Sequence, residues 1–317
     1  MGIIGIIRSY ISSFFFPPKR NIVLIGNSGI GKSSAGNTIL RKKEFTTKVS
    51  ANAVTTKCLR RENTSKNISV VDTPDFFDTD DDDMVKSEIV RAMVECAEGV
   101  HAFVIVLKVG RYTTHEKKIV QEFLNLVKED MLKHTVILFT HGDQLEDQTI
   151  EEFVKTSPQL QELVDKCGGR HHVIDNKYWN KSKQVNNNRV QVNHLLDTID
   201  KMVKENGCYT NELLKRLEKQ IQKEMKKNED NLSPEEKREK AKDSVYRKFL
   251  SLVVEIGKFA LVGAFMGVFN EVVDLKCLTE AITEPMVGKI ASKIIGAGVE
   301  GAAKAVTAGF KPYKKKN

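Results

Sequence analysis

Short apolar runs of strand length recur along the first two thirds of the chain. They lie at 21–25, 68–72 and 135–139, with a shorter run at 172–174, and they read as buried strands. The stretches between them are long enough for helices. The pattern from 21 to 205 resembles repeated βαβ units, so it predicts an α/β fold with a mostly parallel sheet and helices on both faces. In such folds the functional loops lie at the carboxyl ends of the strands.

The last third of the chain carries a helical pattern instead. Leu213, Leu217, Ile221 and Met225 recur every four residues, which predicts a helix with one apolar stripe and a solvated charged face. The heptad pattern does not persist, so we favour a helix that packs back on the first domain over a free coiled coil. A second helix is predicted to begin at 233–236, where a serine, a proline and two acids follow one another.

Two apolar segments follow, at 249–273 and 286–310. The first is long enough to span a bilayer, but Glu255 and Lys258 interrupt it, and charges are costly at the membrane centre. The second is rich in small residues and precedes a lysine-rich tail. Together they suggest a hairpin inserted in, or lying on, an anionic membrane surface. The alternative is a pair of helices buried against protein, for instance in a dimer.

These patterns divide the chain into three parts. A hydrophobic N-terminal segment at 1–20 precedes a domain at 21–205, and a helical extension occupies 206–317. The first 16 residues contain a single charge, at Arg8, and no plausible small-residue cleavage site, so we interpret them as an anchor or as a cover for an apolar patch rather than a secretory signal.

The net charge indicates which classes of partner to expect, and the cysteine content indicates the redox state of the compartment. The chain has 50 Lys and Arg against 42 Asp and Glu, a net charge of +8, which agrees with anionic lipid; nucleic acid is not expected, because no aromatic and basic platform is present. Five dispersed cysteines without C-x-x-C spacing fit a reducing compartment. We predict the cytoplasmic face of an intracellular membrane, or otherwise the cytoplasm. The adjacent His171 and His172 are interpreted as loop residues, not metal ligands.

The glycine-rich sequence Gly-Asn-Ser-Gly-Ile-Gly-Lys-Ser at 26–33 is a complete phosphate loop, G-x-x-x-x-G-K-[ST]. It lies between a predicted strand and a segment that can start a helix, which is the context that the motif requires. Its backbone amides can point at phosphate oxygens, and the helix start adds a positive field. Lys32 is predicted to reach the β- and γ-phosphates and Ser33 to ligate Mg²⁺. The predicted phosphate contacts are Gly26, Asn27, Ser28, Gly29, Ile30, Gly31, Lys32, Ser33 and Ser34.

An acidic residue ends the next predicted strand. Asp72 begins Asp72-Thr73-Pro74, which is the place of the second Mg²⁺-coordinating acid in a phosphate-loop NTPase. We therefore predict that Asp72 holds Mg²⁺ through water.

A third motif favours guanine as the base. Thr140-His141-Gly142-Asp143 follows the strand at 135–139, and the Asp143 carboxylate can accept hydrogen bonds from N1–H and the 2-amino group of guanine, donors that adenine lacks. Thr140 and His141 are predicted base-site residues, with His141 stacking on the base, and Asn176 is predicted to complete the pocket. The predicted cofactors are GTP or GDP and Mg²⁺.

These motifs together resemble the GTPases of the immunity-associated protein family (GIMAP), relatives of the septin and chloroplast-import GTPases. The resemblance covers about residues 21–205. It includes the phosphate loop, Val54-Thr55-Thr56-Lys57-Cys58, and Asp72-Thr73-Pro74. Its most specific part is 99–113, which is similar to a hallmark segment of this family that Ras-like and translation GTPases lack. The resemblance implies a phosphate-loop NTPase G domain, followed by the C-terminal helical extension.

The resemblance also implies catalytic roles. Thr55 corresponds to the switch threonine that closes over Mg²⁺ and the γ-phosphate, with Thr56 as the alternative. Arg111 is a candidate for an arginine donated across a dimer, where it would stabilise transition-state charge; the alternative is that it caps a loop or pairs with Glu116. Lys32, Thr55 and Arg111 are thus the predicted catalytic residues, and Ser33, Thr55 and Asp72 the predicted metal ligands.

Two residues depart from the patterns of related GTPases. Asp75 stands where the family commonly has glycine after D-T-P, so it either points away from the γ-phosphate or alters the switch, because the two negative charges repel. Phe76 stands at the place of the water-positioning glutamine of Ras-like proteins. We therefore expect slow or dimer-stimulated hydrolysis, with a homodimer or GTP-dependent oligomer forming through the nucleotide face. The alternative is a non-hydrolysing scaffold whose assembly GTP regulates.

Overall fold

The computed structural model describes residues 18–47, 55, 57–76, 82–113, 116–117, 120–121, 123–124, 127, 129–179, 187–227, 231–254 and 256–267. The hydrophobic segment up to residue 17, the alternative switch threonine Thr56, and the segment at 286–310 with its basic tail lie outside these residues. The chain divides into two compact units. The first unit is drawn from 1–80 and 99–210, and the second unit from 81–98 and 211–317.

A six-stranded sheet forms the centre of the first unit. Its strands are β1 (Arg20–Ile25), β2 (Leu59–Asn63), β3 (Ile68–Asp72), β4 (Ala102–Lys108), β5 (Thr135–Thr140) and β6 (His171–Val173). Their order across the sheet is β2-β3-β1-β4-β5-β6. Only the β2–β3 pair is antiparallel among these pairings, and the other four are parallel. The predicted mostly parallel sheet is confirmed.

The helices connect these strands or follow them. In chain order they are α1 (Lys32–Leu40), α2 (Asp82–Glu95), α3 (Glu129–Leu132), α4 (Ile150–Lys155), α5 (Pro158–Lys166), α6 (Asn188–Asn206), α7 (Glu212–Lys227), α8 (Pro234–Leu252) and α9 (Lys258–Phe265). Short 3₁₀ turns occur at Thr64–Lys66 and Gly142–Leu145. Of the helices, α2 and α7 to α9 belong to the second unit.

Alternate strand residues supply the two faces of the sheet in the first unit. One face, including Leu24, Val70 and Val104, forms a core cluster with residues of α1 and α6. On the other face, Phe139 of β5 makes an edge-to-face contact with Phe153 of α4, with ring centroids 5.8 Å apart. Helices therefore cover both faces, as the sequence predicts. This packing fixes the carboxyl ends of β1, β3 and β5 along one edge, where the polar motifs lie.

The interpretation of His171 as a loop residue is wrong. His171 opens β6, where it lies opposite Ile137 of β5 in parallel register, and His172 follows in the same strand. Both side chains are partly buried. The run that carries this strand is only three residues long, so pairing with β5 rather than local pattern decides where it begins.

The second unit is built from α2, α7, α8 and α9. The apolar stripe of α7 is buried at Leu213, Leu217 and Ile221, while Met225 is half-buried. The predicted start of α8 is confirmed, because Ser233 and Glu236 form a reciprocal capping box ahead of a proline at the first helical turn.

Polar contacts join α2 to the later helices of this unit. Lys242 Nζ lies 2.8 Å from Glu95 Oε2, and Lys258 Nζ lies 2.9 Å from Asp82 Oδ1. The helix that follows D-T-P in the sequence is thus part of the same compact unit as the C-terminal extension.

The apolar segment at 249–273 is broken within its described part. The helix α8 ends at Leu252, and α9 begins at Lys258 after Gly257 as its N-cap. Among the helices that the structure describes, none has both the length and the apolar character needed to cross a membrane.

Candidate functional site

The phosphate loop joins β1 to α1 and depends on two glycine conformations. Gly26 has φ 145°, and a Cβ there would lie 2.6 Å from Val106 O and from Ile30 Cδ1. Gly31 has φ 93° and is the N-cap of α1. Because Gly31 has no side chain, nothing on it competes for the first amides of α1. This end of the loop therefore presents backbone N–H groups and the positive end of a helix, a favourable place for an anion.

Lys32 lies inside the loop with only 6% of its surface exposed. Its Nζ donates to Gly26 O at 2.6 Å and to Asn27 O at 2.7 Å. Burial lowers the pKa of Lys32, whereas Asp72 and Asp75 act in the opposite direction. The ammonium is thus positioned by loop carbonyls and by two nearby carboxylates.

The side chains of the three predicted metal ligands lie together beside the loop. Ser33 Oγ donates to Asp72 Oδ2 at 2.6 Å and lies 2.9 Å from Thr55 Oγ1. Burial raises the pKa of Asp72, against the effects of the Ser33 hydrogen bond and of Lys32. The other carboxylate oxygen, Asp72 Oδ1, is buried without a hydrogen-bond partner among the described residues. A buried, unsatisfied carboxylate oxygen beside two hydroxyls is the donor set that Mg²⁺ and its water ligands would satisfy.

The predicted base motif, residues 140–143, begins at the last residue of β5. Thr140 Oγ1 donates to Ile30 O at 2.7 Å, so this threonine braces the phosphate loop. His141 has φ 58°, and its Nδ1 lies 2.9 Å from Thr140 Oγ1. Burial lowers the pKa of His141, and Lys108 adds to that effect.

A cavity of about 280 Å³ opens next to Asp143. Its lining residues are His141, Asp143, Gln144, Asp175, Asn176, Lys177 and Tyr178. The predicted base residues His141, Asp143 and Asn176 therefore share one cavity. The structure also links Asn176 to the phosphate loop, because its Oδ1 accepts from Thr38 Oγ1 at 3.0 Å and its Nδ2 donates to Gly31 O at 3.4 Å.

Asp175 is a site residue that the sequence analysis missed. A hydrogen bond to Asp175 is the main cause that raises the pKa of Asp143, followed by burial. Burial raises the pKa of Asp175, but hydrogen bonds from Asp143 and from the N–H groups of Tyr178 and Lys177 outweigh it and lower the pKa overall. Its only signal in the sequence is its position directly before Asn176.

Trp179 is a second residue that sequence analysis missed. A Cβ built on Gly142 would lie 2.4 Å from Trp179 Cη2, so the indole packs directly over the glycine of the base motif. Any larger residue at Gly142 would displace the indole. The chain contains a single tryptophan, which was the available signal.

Asp75 points into the phosphate loop rather than away from it. Its Oδ2 accepts a hydrogen bond from Ser28 N at 3.0 Å, and its side chain is buried, with 4% of the residue exposed. Phe76 is also buried. The second of the two arrangements foreseen for Asp75, an altered switch, is the one that this contact supports.

Arg111 lies at the surface of the first unit. It is exposed and borders a second cavity of about 330 Å³ together with Tyr112 and Lys117. The Glu116 carboxylate accepts from Thr113 N at 2.8 Å and from Thr113 Oγ1 at 2.9 Å. Glu116 thus caps the turn through Thr113.

Comparison with protein families matches residues 20–229 to the AIG1 family. Among curated relatives, immune-associated nucleotide-binding protein 9 of Arabidopsis thaliana is 32% identical over 213 residues, which cover 64% of this chain and 61% of the relative. GTPase IMAP family member 8 of Mus musculus is 30% identical over 205 residues, 62% of this chain and 29% of that protein. The chain thus spans less than two thirds of the length of either relative.

Among solved structures, the chain is similar to Arabidopsis thaliana Toc33 in complex with GDP and Mg²⁺. It is 15% identical, the match covers 65% of this chain and 92% of that chain, and the TM-score is 0.47. A probable GTP-binding protein, engB, matches 58% of this chain and 99% of its own at 18% identity, with a TM-score of 0.36.

Proposed function

The chain belongs to the AIG1 family, and from this premise we propose a guanine-nucleotide switch that hydrolyses GTP slowly alone and faster when two copies meet at the nucleotide face. The observation that carries the proposal is the convergence of Ser33, Thr55 and Asp72 beside the phosphate loop. The Asp143 cavity lies at the carboxyl end of β5, which is separated from β1 by β4 in the same sheet. The group of Ser33, Thr55 and Asp72 suits phosphate and a metal ion, and the Asp143 cavity suits a base.

The residues divide the work of binding. The amides at the start of α1 receive phosphate oxygens, and Lys32 exchanges the carbonyls of Gly26 and Asn27 for the β- and γ-phosphates. Asp143 accepts hydrogen bonds from the base. Mg²⁺, held by Ser33, Thr55 and a water on Asp72, would neutralise charge on the phosphates.

The site has no glutamine at the water-positioning place, and Arg111 is the candidate residue that would assist hydrolysis. Phe76 is apolar and buried, so it cannot orient a water molecule as a glutamine does, and this supports a slow intrinsic rate. The exposed Arg111 is accessible to a second copy of the chain, where its guanidinium would stabilise the charge that develops on the transferred phosphate.

A second candidate function is a non-hydrolysing scaffold whose assembly GTP regulates. The observation that favours it is the buried carboxylate of Asp75 on the phosphate loop, because a fixed negative charge there opposes the γ-phosphate and the charge of the transition state.

Single-turnover hydrolysis at rising protein concentration separates these two candidates. A dimer-assisted GTPase gives a rate that climbs with concentration and collapses in Arg111→Ala but not in the control Arg247→Ala, which removes an exposed arginine from α8 in the second unit. A flat, near-zero rate with intact GTP binding supports the scaffold instead.

We also propose attachment to an anionic membrane on the cytoplasmic side. The support is compositional: the apolar segment at 286–310, the lysine-rich tail that follows, and the net charge of +8. Sedimentation of the full chain with vesicles tests this. Binding to phosphatidylserine vesicles that weakens with salt is expected, whereas failure to bind them contradicts the proposal.

A further inference from the structure

Asp75 lies outside the predicted metal ligands, yet its carboxylate accepts a hydrogen bond from the backbone of the phosphate loop. Two residues before Asp75, Thr73 is fully buried, and its hydroxyl donates to Leu24 O at 2.7 Å. This bond anchors the chain to β1 just before Asp75. From that anchor the Asp75 side chain reaches back to Ser28, where its Oδ2 accepts the backbone N–H at 3.0 Å.

The position of Ser28 within the loop decides which phosphate the carboxylate meets. The amides of Lys32 and Ser33 lie at the start of α1, at the other end of the loop, and they remain available to phosphate oxygens near the helix. Ser28 lies in the first half of the loop, next to the carbonyls of Gly26 and Asn27 that now bind Lys32. Because Lys32 serves the β- and γ-phosphates, this half of the loop receives the outer phosphates.

Charge reinforces the same conclusion. The Asp75 carboxylate acts on Lys32, where it opposes the pKa-lowering effect of burial, as Asp72 also does. An anion therefore already sits in the field of the lysine and on a loop amide. A third phosphate adds negative charge to this place, and in a buried site the repulsion is weakly screened.

We propose that Asp75 is a specificity-determining residue that competes with the terminal phosphate of GTP for the Ser28 amide and Lys32, and so biases the site toward GDP. The inference rests on the proposed guanine-nucleotide function. GDP leaves the Asp75 contacts in place, whereas GTP must displace the carboxylate from the loop. Asp75 thereby lowers the affinity for GTP relative to GDP.

Equilibrium binding tests this without any hydrolysis. The affinities for GDP and for the non-hydrolysable analogue GMPPNP, both with Mg²⁺, are measured for the wild-type chain, Asp75→Asn and Asp75→Gly. Asparagine keeps the shape and an acceptor for Ser28 N–H but removes the charge, and glycine removes the side chain. The control Asp197→Asn removes one charge from the exposed face of α6 and leaves the loop intact.

The expected result is a ratio of GMPPNP to GDP affinity that rises about tenfold or more in both Asp75 variants and stays at the wild-type value in Asp197→Asn. An unchanged or lower ratio in Asp75→Asn and Asp75→Gly, with both nucleotides still bound, overturns the role of Asp75 alone. If the wild-type chain binds neither nucleotide, the proposed function fails, and this inference fails with it.

Discussion

Ser33 Oγ donates a 2.6 Å hydrogen bond to Asp72 Oδ2, which joins the second residue of α1 to the last residue of β3. The bond leaves Asp72 Oδ1 buried and unsatisfied within the described structure. Such a group costs free energy unless a ligand completes it. The pair is therefore arranged for a cation rather than for stability of the fold alone.

The first prediction concerns Mg²⁺. In Asp72→Asn the gain in GDP affinity that Mg²⁺ gives should shrink by about tenfold or more, since residues that hold a metal through water commonly have effects of this size. Titration of GDP with Mg²⁺ and with EDTA measures it. The EDTA values provide the internal control and should agree between variant and wild type; an undiminished Mg²⁺ effect would exclude Asp72 as a metal-site residue.

The second prediction is a pH dependence of guanine binding. The hydrogen bond to Asp175 raises the pKa of Asp143, and guanine requires the ionised carboxylate. Affinity is therefore complete above this raised pKa and is lost as the pH falls through it, at a higher pH than for an ordinary aspartate. In Asp175→Asn the acid limb of a GDP affinity profile should move to lower pH. A limb that does not move, or moves upward, contradicts the pairing.

The third prediction concerns fold stability in acid. Burial, followed by His171 and His194, lowers the pKa of His172 to about 4, below the value near 6.5 of an unfolded chain. The stabilising contribution is complete above about pH 6.5 and is lost as the pH falls toward 4, because only the unfolded state binds the proton readily. The loss reaches about 3 kcal/mol.

Replacement of this histidine provides the measurement. His172→Gln keeps a polar group near Thr198, which lies 2.9 Å from His172 Nε2, but removes the titration. Urea unfolding between pH 4 and 7 should show a shallower pH dependence in the variant. Parallel profiles for variant and wild type would show that another group controls the acid loss.

The fourth prediction compares two lysines of α8. Lys242 pairs with Glu95, and their side chains are 5% and 11% exposed, so Lys242→Ala removes the cation from a largely buried ion pair and should cost about 3 kcal/mol. Lys248 pairs with Glu224 but is 62% exposed, and Lys248→Ala should cost less than about 1 kcal/mol.

Hydrogen exchange of α2 amides is the relevant readout for this pair of variants. Protection should fall in Lys242→Ala and stay near the wild-type level in Lys248→Ala. Equal effects in the two variants would mean that the buried pair contributes no more than the exposed one.

The parts of the site that can be predicted from the sequence are those that depend on motifs of a few consecutive residues. The phosphate loop directly follows β1, and Asp72 and Thr140 are the last residues of β3 and β5. Parallel strands bring their carboxyl ends to one edge. The capping box at Ser233 is equally local, because its two hydrogen bonds join residues three apart. For such features a few residues contain the whole physical cause.

The features that sequence did not predict depend on contacts between distant residues. The grouping of α2 with the C-terminal helices rests on pairs such as Lys258 with Asp82. The Asp143–Asp175 pair depends on the β5–β6 register. The break between α8 and α9 lies within an apolar run. The composition of that run indicates its length but does not show where the helix stops, and Gly257 is the N-cap of the new helix. The orientation of the Asp75 side chain likewise depends on its contact with Ser28, a residue distant in the sequence.

The most direct test of the central claim is nucleotide affinity for the wild-type chain and Asp143→Asn, with the exposed neighbour Asp147→Asn as control. GDP, ADP and xanthosine diphosphate are compared in the presence of Mg²⁺. The account predicts guanine selectivity in the wild type and the control, a loss of roughly 100-fold in GDP affinity for Asp143→Asn, and a gain for xanthosine diphosphate. Equal binding of ADP and GDP by the wild type, or unchanged GDP binding by Asp143→Asn, would contradict it.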